Sequence, residues 1–297
     1  MKQSDLSVDT FMVLRNSLFE KSGKPTTFPL RDKKSTQDDP LDEYLHLIIS
    51  KRLSDAVCLK APGPLITPDL VAAREASCRQ SSRKNLASDL TKIVAIEVKK
   101  LERRNGRIAR STGLDYNTTP PCGTVRIYDS DEQPVDTRCF YLFVCMEIAP
   151  KEKGRYYLSA LALCDGDLLN DDFDYYLSIV GRRTKEIGLG TYGNGANRNR
   201  PMLIFASPLG ISQLDRKVTL IHSSDQLAAV YKGLRLTYLL QRTTKSGQAR
   251  KFYCYQSESD VPSDWSVRTL SNPFPEVDRE QRTQPRGKFR LNFRTLE

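Results

Sequence analysis

Glu97 and Lys99 close the run Ile93-Val94-Ala95-Ile96-Glu97-Val98-Lys99, whose length and β-branched content predict a strand. Strand side chains alternate between faces, so Ala95, Glu97 and Lys99 share one face and Val94, Ile96 and Val98 the other. Upstream, Pro68-Asp69 opens a second short apolar run, Leu70-Val71-Ala72-Ala73, also predicted as a strand. Antiparallel pairing of the two runs brings Asp69 beside Glu97. Two carboxylates a few ångströms apart repel unless a cation sits between them, and hard oxygen ligands at that separation suit Mg²⁺. The Lys99 ammonium then faces the same spot, where it can act on a phosphate or on a water molecule.

Pro68-Asp69, an interval of 27 residues, then Glu97-Val98-Lys99 resembles the PD-(D/E)xK nuclease signature, whose largest group is the type II restriction endonucleases. Acid-x-Lys triplets begin at Asp32, Glu97 and Asp215, but only Glu97 follows an apolar β-branched run, and Pro68-Asp69 is the one Pro-Asp pair in the chain. The resemblance covers roughly residues 40 to 165. It implies an α/β fold, a mixed-sheet restriction-endonuclease-like core flanked by helices, with additional β-hairpins. It also implies that Asp69 and Glu97 hold Mg²⁺, with the Val98 carbonyl a further ligand. Lys99 would orient or deprotonate the attacking water, or stabilise charge on the phosphate. Palindromic double-stranded DNA is read by two-fold protein symmetry, so a homodimer is expected.

Two further acids compete for places. Asp89 precedes Glu97 by eight positions, a usable hairpin separation, although it also suits a turn cap; Asp69 has the strand Leu70–Ala73 behind it. Glu43 falls on a predicted helix, from which some members of the resembled family add an acid to the metal site, and its other reading is a solvated side chain.

These residues need a scaffold and a partner. The 297 residues are read as one domain with N-terminal helical and C-terminal β elaborations, since no linker-like stretch divides them. A 39% hydrophobic content supports a sizeable core. A net charge of +10 favours a polyanion. The charge clusters: Arg103, Arg104, Arg107 and Arg110 follow Lys99-Lys100, and phosphates are their natural target. Seven scattered cysteines without a CxxC pair, with two histidines, argue against zinc and for small apolar side chains. No run is long enough to span a membrane and the N-terminus lacks a signal-peptide core, so a cytoplasmic setting is expected.

A helix is predicted over residues 5–21 and a second from Asp39-Pro40, with Asp39 as N-cap and Leu41, Tyr44, Leu45, Ile48 and Ile49 as its apolar face. Residues 103–123, rich in Gly, Arg and Thr and ending in consecutive prolines, cannot form a regular helix, and 124–128 alternates as a strand. Residues 138–149 and 156–164 are the most apolar runs, suited to central strands. A helix over 167–182 leads to Gly188–Arg200, where Asn194, Asn197, Arg198, Asn199 and Arg200 carry the groups that read adenine and guanine edges in the major groove. The same Gly and Asn content also fits a surface turn. A strand at 217–222, a helix near 225–232, a hairpin of 234–242 with 250–256 and a strand near 288–293 complete the chain.

Two other functions fit these features. One is a repair or recombination nuclease of the same fold; the other is a basic DNA-binding protein in which Glu97 and Lys99 form only an ion pair.

Overall fold

The computed structural model describes residues 3–35, 38–63, 66–79, 86, 88–104, 107–110, 123–129, 131–150, 152–171, 214, 217–243 and 248–270. For residues 102–104, 107–110 and 242–243 it describes the backbone alone. The loop 188–200 and the strand near 288–293 lie outside the described residues.

The architecture is α/β, a large mixed sheet with few helices. The site is built from α1 (Leu6–Leu18), α2 (Pro40–Arg52), β2 (Val57–Lys60), β3 (Leu70–Ala73), β4 (Ile93–Arg104) and β5 (Arg107–Arg110). A two-residue strand β1 (Phe28–Pro29) and a short helix α3 (Glu75–Arg79) lie between these elements. Then come β6 (Thr124–Tyr128), β7 (Pro134–Ile148), β8 (Arg155–Asp165), β9 (Val218–His222), a one-turn α4 (Leu227–Val230), β10 (Leu234–Thr243), β11 (Ala249–Ser257) and β12 (Arg268–Leu270). Neighbours along the sheet run β12-β10-β11-β9-β8-β7-β4-β3-β2. β2, β3 and β4 form an antiparallel meander, β4 and β7 pair in parallel, and β7 and β8 form an antiparallel hairpin.

The period-two pattern divides β4 cleanly. Val94 and Ile96 enter a core shared with Leu6, Phe11 and Leu14 of α1 and Leu41, Leu45 and Ile49 of α2. Ala95 and Leu101 enter a second core with Cys139, Tyr141 and Phe143 of β7 and Cys164 of β8. β7 and β8 supply both cores, which explains their near-continuous apolar sequences. Cys58, Cys139, Cys145, Cys164 and Cys254 are buried, as small apolar side chains.

Among the described residues α1 and α2 pack on one face of the sheet, and the other face is covered by Leu168 and Leu169 of the helical stretch 166–171, where the helix expected over 167–182 begins, together with Leu214 and Trp265; residues 172–182 lie outside the described residues. Beyond the expected run 93–99, β4 continues to Arg104 and pairs antiparallel with β5, because the backbone groups that β4 offers past its pairing with β3 need partners.

Two buried arginines hold α1 in place. Arg74 bonds Asp9 at 2.8 Å and Asp55 at 2.7 Å, and Arg15 bonds Asp260. Burying a guanidinium is tolerated only with its charge and donors matched, so these clamps orient α1 as much as they stabilise it.

Candidate functional site

β3 and β4 pair with Leu70 opposite Ile96 and Val71 opposite Ala95. One step further along that register sets Asp69 level with Glu97. Asp69 lies immediately before β3, and its Oδ2 accepts the Val98 N–H at 2.7 Å. The carboxylate thus takes the place of the next ladder acceptor, so Asp69 marks where β3 begins and is fixed against β4 by the same bond.

Glu97 and Lys99 stand on one face, as alternation requires. They are 8% and 9% exposed, and Lys99 Nζ donates to Glu97 Oε1 at 2.6 Å. Glu97 Oε2 is buried without a hydrogen-bond partner among the described residues. An ionised carboxylate oxygen left so is costly, on the order of 1–3 kcal/mol or more, and such an atom marks a place where a cation or donor belongs.

The surrounding charge has the same sign of imbalance. Burial, followed by the charge of Glu97, raises the Asp69 carboxyl to about 6, against the lowering effect of the Val98 bond and of Lys99. Asp42, in the first turn of α2, is raised to about 8 by burial and then by Asp69 and Asp39, with Lys100 and Lys60 opposing. Asp39 caps α2 through a 3.1 Å bond from Leu41 N and receives Lys100 Nζ at 2.6 Å. Three carboxylates therefore act on one another around the end of β3 and the start of α2.

Asp89 and Glu43 lie in other surroundings. Asp89 Oδ1 accepts from Thr91 N at 3.1 Å, and Lys92 pairs with it at 2.8 Å, so it organises the turn that leads into β4. Glu43 bonds Arg31 at 2.6 Å and is part of a half-buried cluster with Asp38. Asp42 and Asp39 were not singled out from the sequence as site residues. Their signal was Asp39-Pro40-Leu41-Asp42, a cap and an acid in the first helical turn, but nothing in it says that this helix start abuts the β3 end.

Arg103, Arg104, Arg107 and Arg110 fall on the β4–β5 hairpin, placed by register rather than by side-chain contacts. Asn194, Asn197, Arg198, Asn199 and Arg200 lie outside the described residues.

A resident metal finds a partial donor set here. Among the described residues no three His, Cys, Asp or Glu side chains gather into a metal cage. Mg²⁺ does not require one, because it keeps several waters and takes one or two carboxylates together with substrate phosphate oxygens. The orphaned Glu97 Oε2 and the raised Asp69 carboxyl fit that mode.

A stability prediction follows from Asp42. A carboxyl raised in the folded state binds more protons than in the unfolded chain, so stability falls as pH rises from about 4 to about 8, by at most about 1.4 kcal/mol per unit. In metal-free buffer, Asp42→Asn is expected to raise the melting temperature at pH 8 and to change it little at pH 4. Equal shifts at both pH values would show that Asp42 is not an ionisable strain.

Comparison with family models, with curated proteins and with solved structures returns no match for this chain. Among the described residues no helix is long and apolar enough to cross a membrane.

Proposed function

We propose that this chain is a Mg²⁺-dependent endonuclease that hydrolyses phosphodiester bonds of double-stranded DNA at specific sequences, as type II restriction enzymes do. The observation that carries this reading is the buried Glu97 Oε2, unpartnered among the described residues, on a residue level with Asp69 and with the Lys99 ammonium bonded to its other oxygen. Asp69 and Glu97 would hold the ion, and the Val98 carbonyl would add a ligand. Bound Mg²⁺ supplies Lewis acidity for the phosphate and an acidified water. Lys99, whose Nζ lies 2.6 Å from Glu97 Oε1, would orient the attacking water or meet charge developing on the phosphate. The net charge of +10 draws the polyanion to the site. A two-fold homodimer, acting in the cytoplasm, would match palindromic sites.

The test is cleavage of supercoiled plasmid in Mg²⁺ with an EDTA control. Discrete linear fragments in Mg²⁺ alone support a restriction enzyme, and unspecific nicking supports a repair or recombination nuclease. The salt bridge that neutralises Glu97 favours a second, non-catalytic reading as a DNA-binding protein. DNA binding without cleavage in any divalent cation would establish it.

Cation binding also has a readout apart from turnover. A ligand that binds only the folded state stabilises it by about 2.7 kcal/mol at a hundredfold excess over its Kd. Mg²⁺ or Ca²⁺ is therefore expected to raise the melting temperature of the wild type by several degrees, and that of Glu97→Gln far less. Equal shifts in both proteins would place the cation elsewhere.

A further inference from the structure

We infer that Trp265 and the two cations on its ring form a second DNA contact, a sequence-independent clamp on backbone phosphates remote from Glu97; the choice of DNA as the polyanion rests on the nuclease reading above. Arg268 Cζ lies 4.8 Å from the centre of the Trp265 ring and Lys217 Nζ 6.0 Å from it. Arg268 is exposed and Lys217 half-buried. Neither has a carboxylate partner among the described residues, although exposed Asp264 precedes Trp265 in the chain. By contrast, Arg15, Arg31, Arg74, Arg126, Arg138 and Arg155 each meet a carboxylate. A guanidinium stacked on a ring keeps its N–H edge for a phosphate, and stacking holds it ready with little further loss of rotamer freedom.

The ring is fixed from behind. Trp265 Nε1 donates to the Thr237 carbonyl at 3.1 Å, and the ring packs edge-on against Tyr238 with centres 5.3 Å apart. Arg235 donates to the carbonyls of Pro262, Ser263 and Trp265 at 2.9, 3.0 and 3.1 Å, which ties down the loop before the ring. The one N–H of the indole is thus used inward, and what the ring offers outward is a π-face carrying two positive charges. Packing of the second core accounts for the ring, but not for two cations left without counter-ions beside it. A polyanion supplies them.

A single register row joins the patch to the candidate site. Glu97 pairs with Tyr141, Tyr141 with Cys164, Cys164 with Ile221, Ile221 with Cys254, Cys254 with Tyr238, and Tyr238 with Arg268. The five residues between the ends share one core, so Glu97 and Arg268 stand on the same face of the sheet. Six strand spacings of about 4.8 Å put them roughly 29 Å apart along the sheet. With the shortening that sheet twist brings, the clamp falls on flanking duplex about six to nine base pairs from the cut.

Trp265 is the one tryptophan of the chain, so its fluorescence reports the patch directly. Iodide, an anion, is expected to quench it more than caesium does, and a random-sequence duplex of about 30 base pairs, roughly 100 Å long, bound in Ca²⁺ should remove most of that iodide access. Lys217→Ala and Arg268→Ala should each weaken binding to any duplex alike and lower the slope of log affinity against log salt by about one. Lys232→Ala, which removes an exposed charge after α4, should leave the slope unchanged. Should Arg268→Ala fail to fold, Lys217→Ala decides. Unchanged slopes in both patch variants, undiminished iodide quenching with duplex bound, or protection by polyglutamate and not by duplex overturns the inference. Cleavage in Mg²⁺ with unchanged slopes and an unprotected tryptophan refutes the clamp alone, while a protected tryptophan and lowered slopes without cleavage refute the nuclease alone.

Discussion

Glu97→Gln is expected to lower the rate of DNA cleavage by about 10²- to 10⁴-fold or more, with binding in Ca²⁺ retained to within several-fold. The substitution keeps the shape of the side chain and removes the charge that would hold the cation. Lys99→Met is expected to cause a loss of the same order. It preserves the apolar stem but removes the ammonium 2.6 Å from Glu97 Oε1, so the protein should bind its site and fail to turn over. Because that variant leaves a buried carboxylate without its counter-ion, a melting curve belongs with the kinetics; a loss of about 3–5 kcal/mol would signal a folding defect rather than a chemical one. Wild-type cleavage by either variant would remove the pair from the site.

Asp69→Asn is expected to be inactive and Asp89→Asn to cleave within about threefold of the wild type, a difference of at least about 10² between two chemically identical changes. An asparagine oxygen at position 69 can still accept the Val98 N–H, so the β3–β4 junction should survive while the charge beside Glu97 is lost. At position 89 the same change gives up the ion pair with Lys92 and keeps the acceptor for Thr91 N. Matched steady-state kinetics with circular dichroism settle the comparison. An active Asp69→Asn beside an inactive Asp89→Asn would mean that the turn before β4, rather than the end of β3, carries the acid.

Much of the local order was legible because it rests on short-range rules. Asp39-Pro40 announced α2 through a side-chain acceptor and a residue without an N–H, and both occupy those positions. Alternation in Ile93–Lys99 assigned Val94 and Ile96 to one core and Ala95 to the other. The hairpin of β10 and β11 follows from two apolar runs separated by a short turn-like stretch.

Other features depended on distant contacts. Asp42 looks like an ordinary first-turn acid, and only the docking of α2 against the end of β3 brings it into the field of Asp69 and raises its carboxyl. Asp69 and Asp89 were both admissible neighbours of Glu97, since sequence distance to Glu97 does not specify register; the pairing of Leu70 with Ile96 sets Asp69 level with it. The extent of β4 likewise was hidden, because arginines at 103 and 104 look like solvated loop until the backbone of β5 supplies their ladder partners.

By itself the sequence determined which residues carry charge, which short runs are strands or helices, and that Glu97 and Lys99 share a face, because these depend on residue type and on the fixed periods of 2 and 3.6. Tertiary structure alone decided that Asp69 stands level with Glu97, that Glu97 keeps one buried oxygen without a partner among the described residues, and that the start of the basic segment continues the same strand and pairs with β5. Burial and register belong to strands that meet across long stretches of chain, and a carboxylate acquires its site chemistry only from the groups that this meeting places around it.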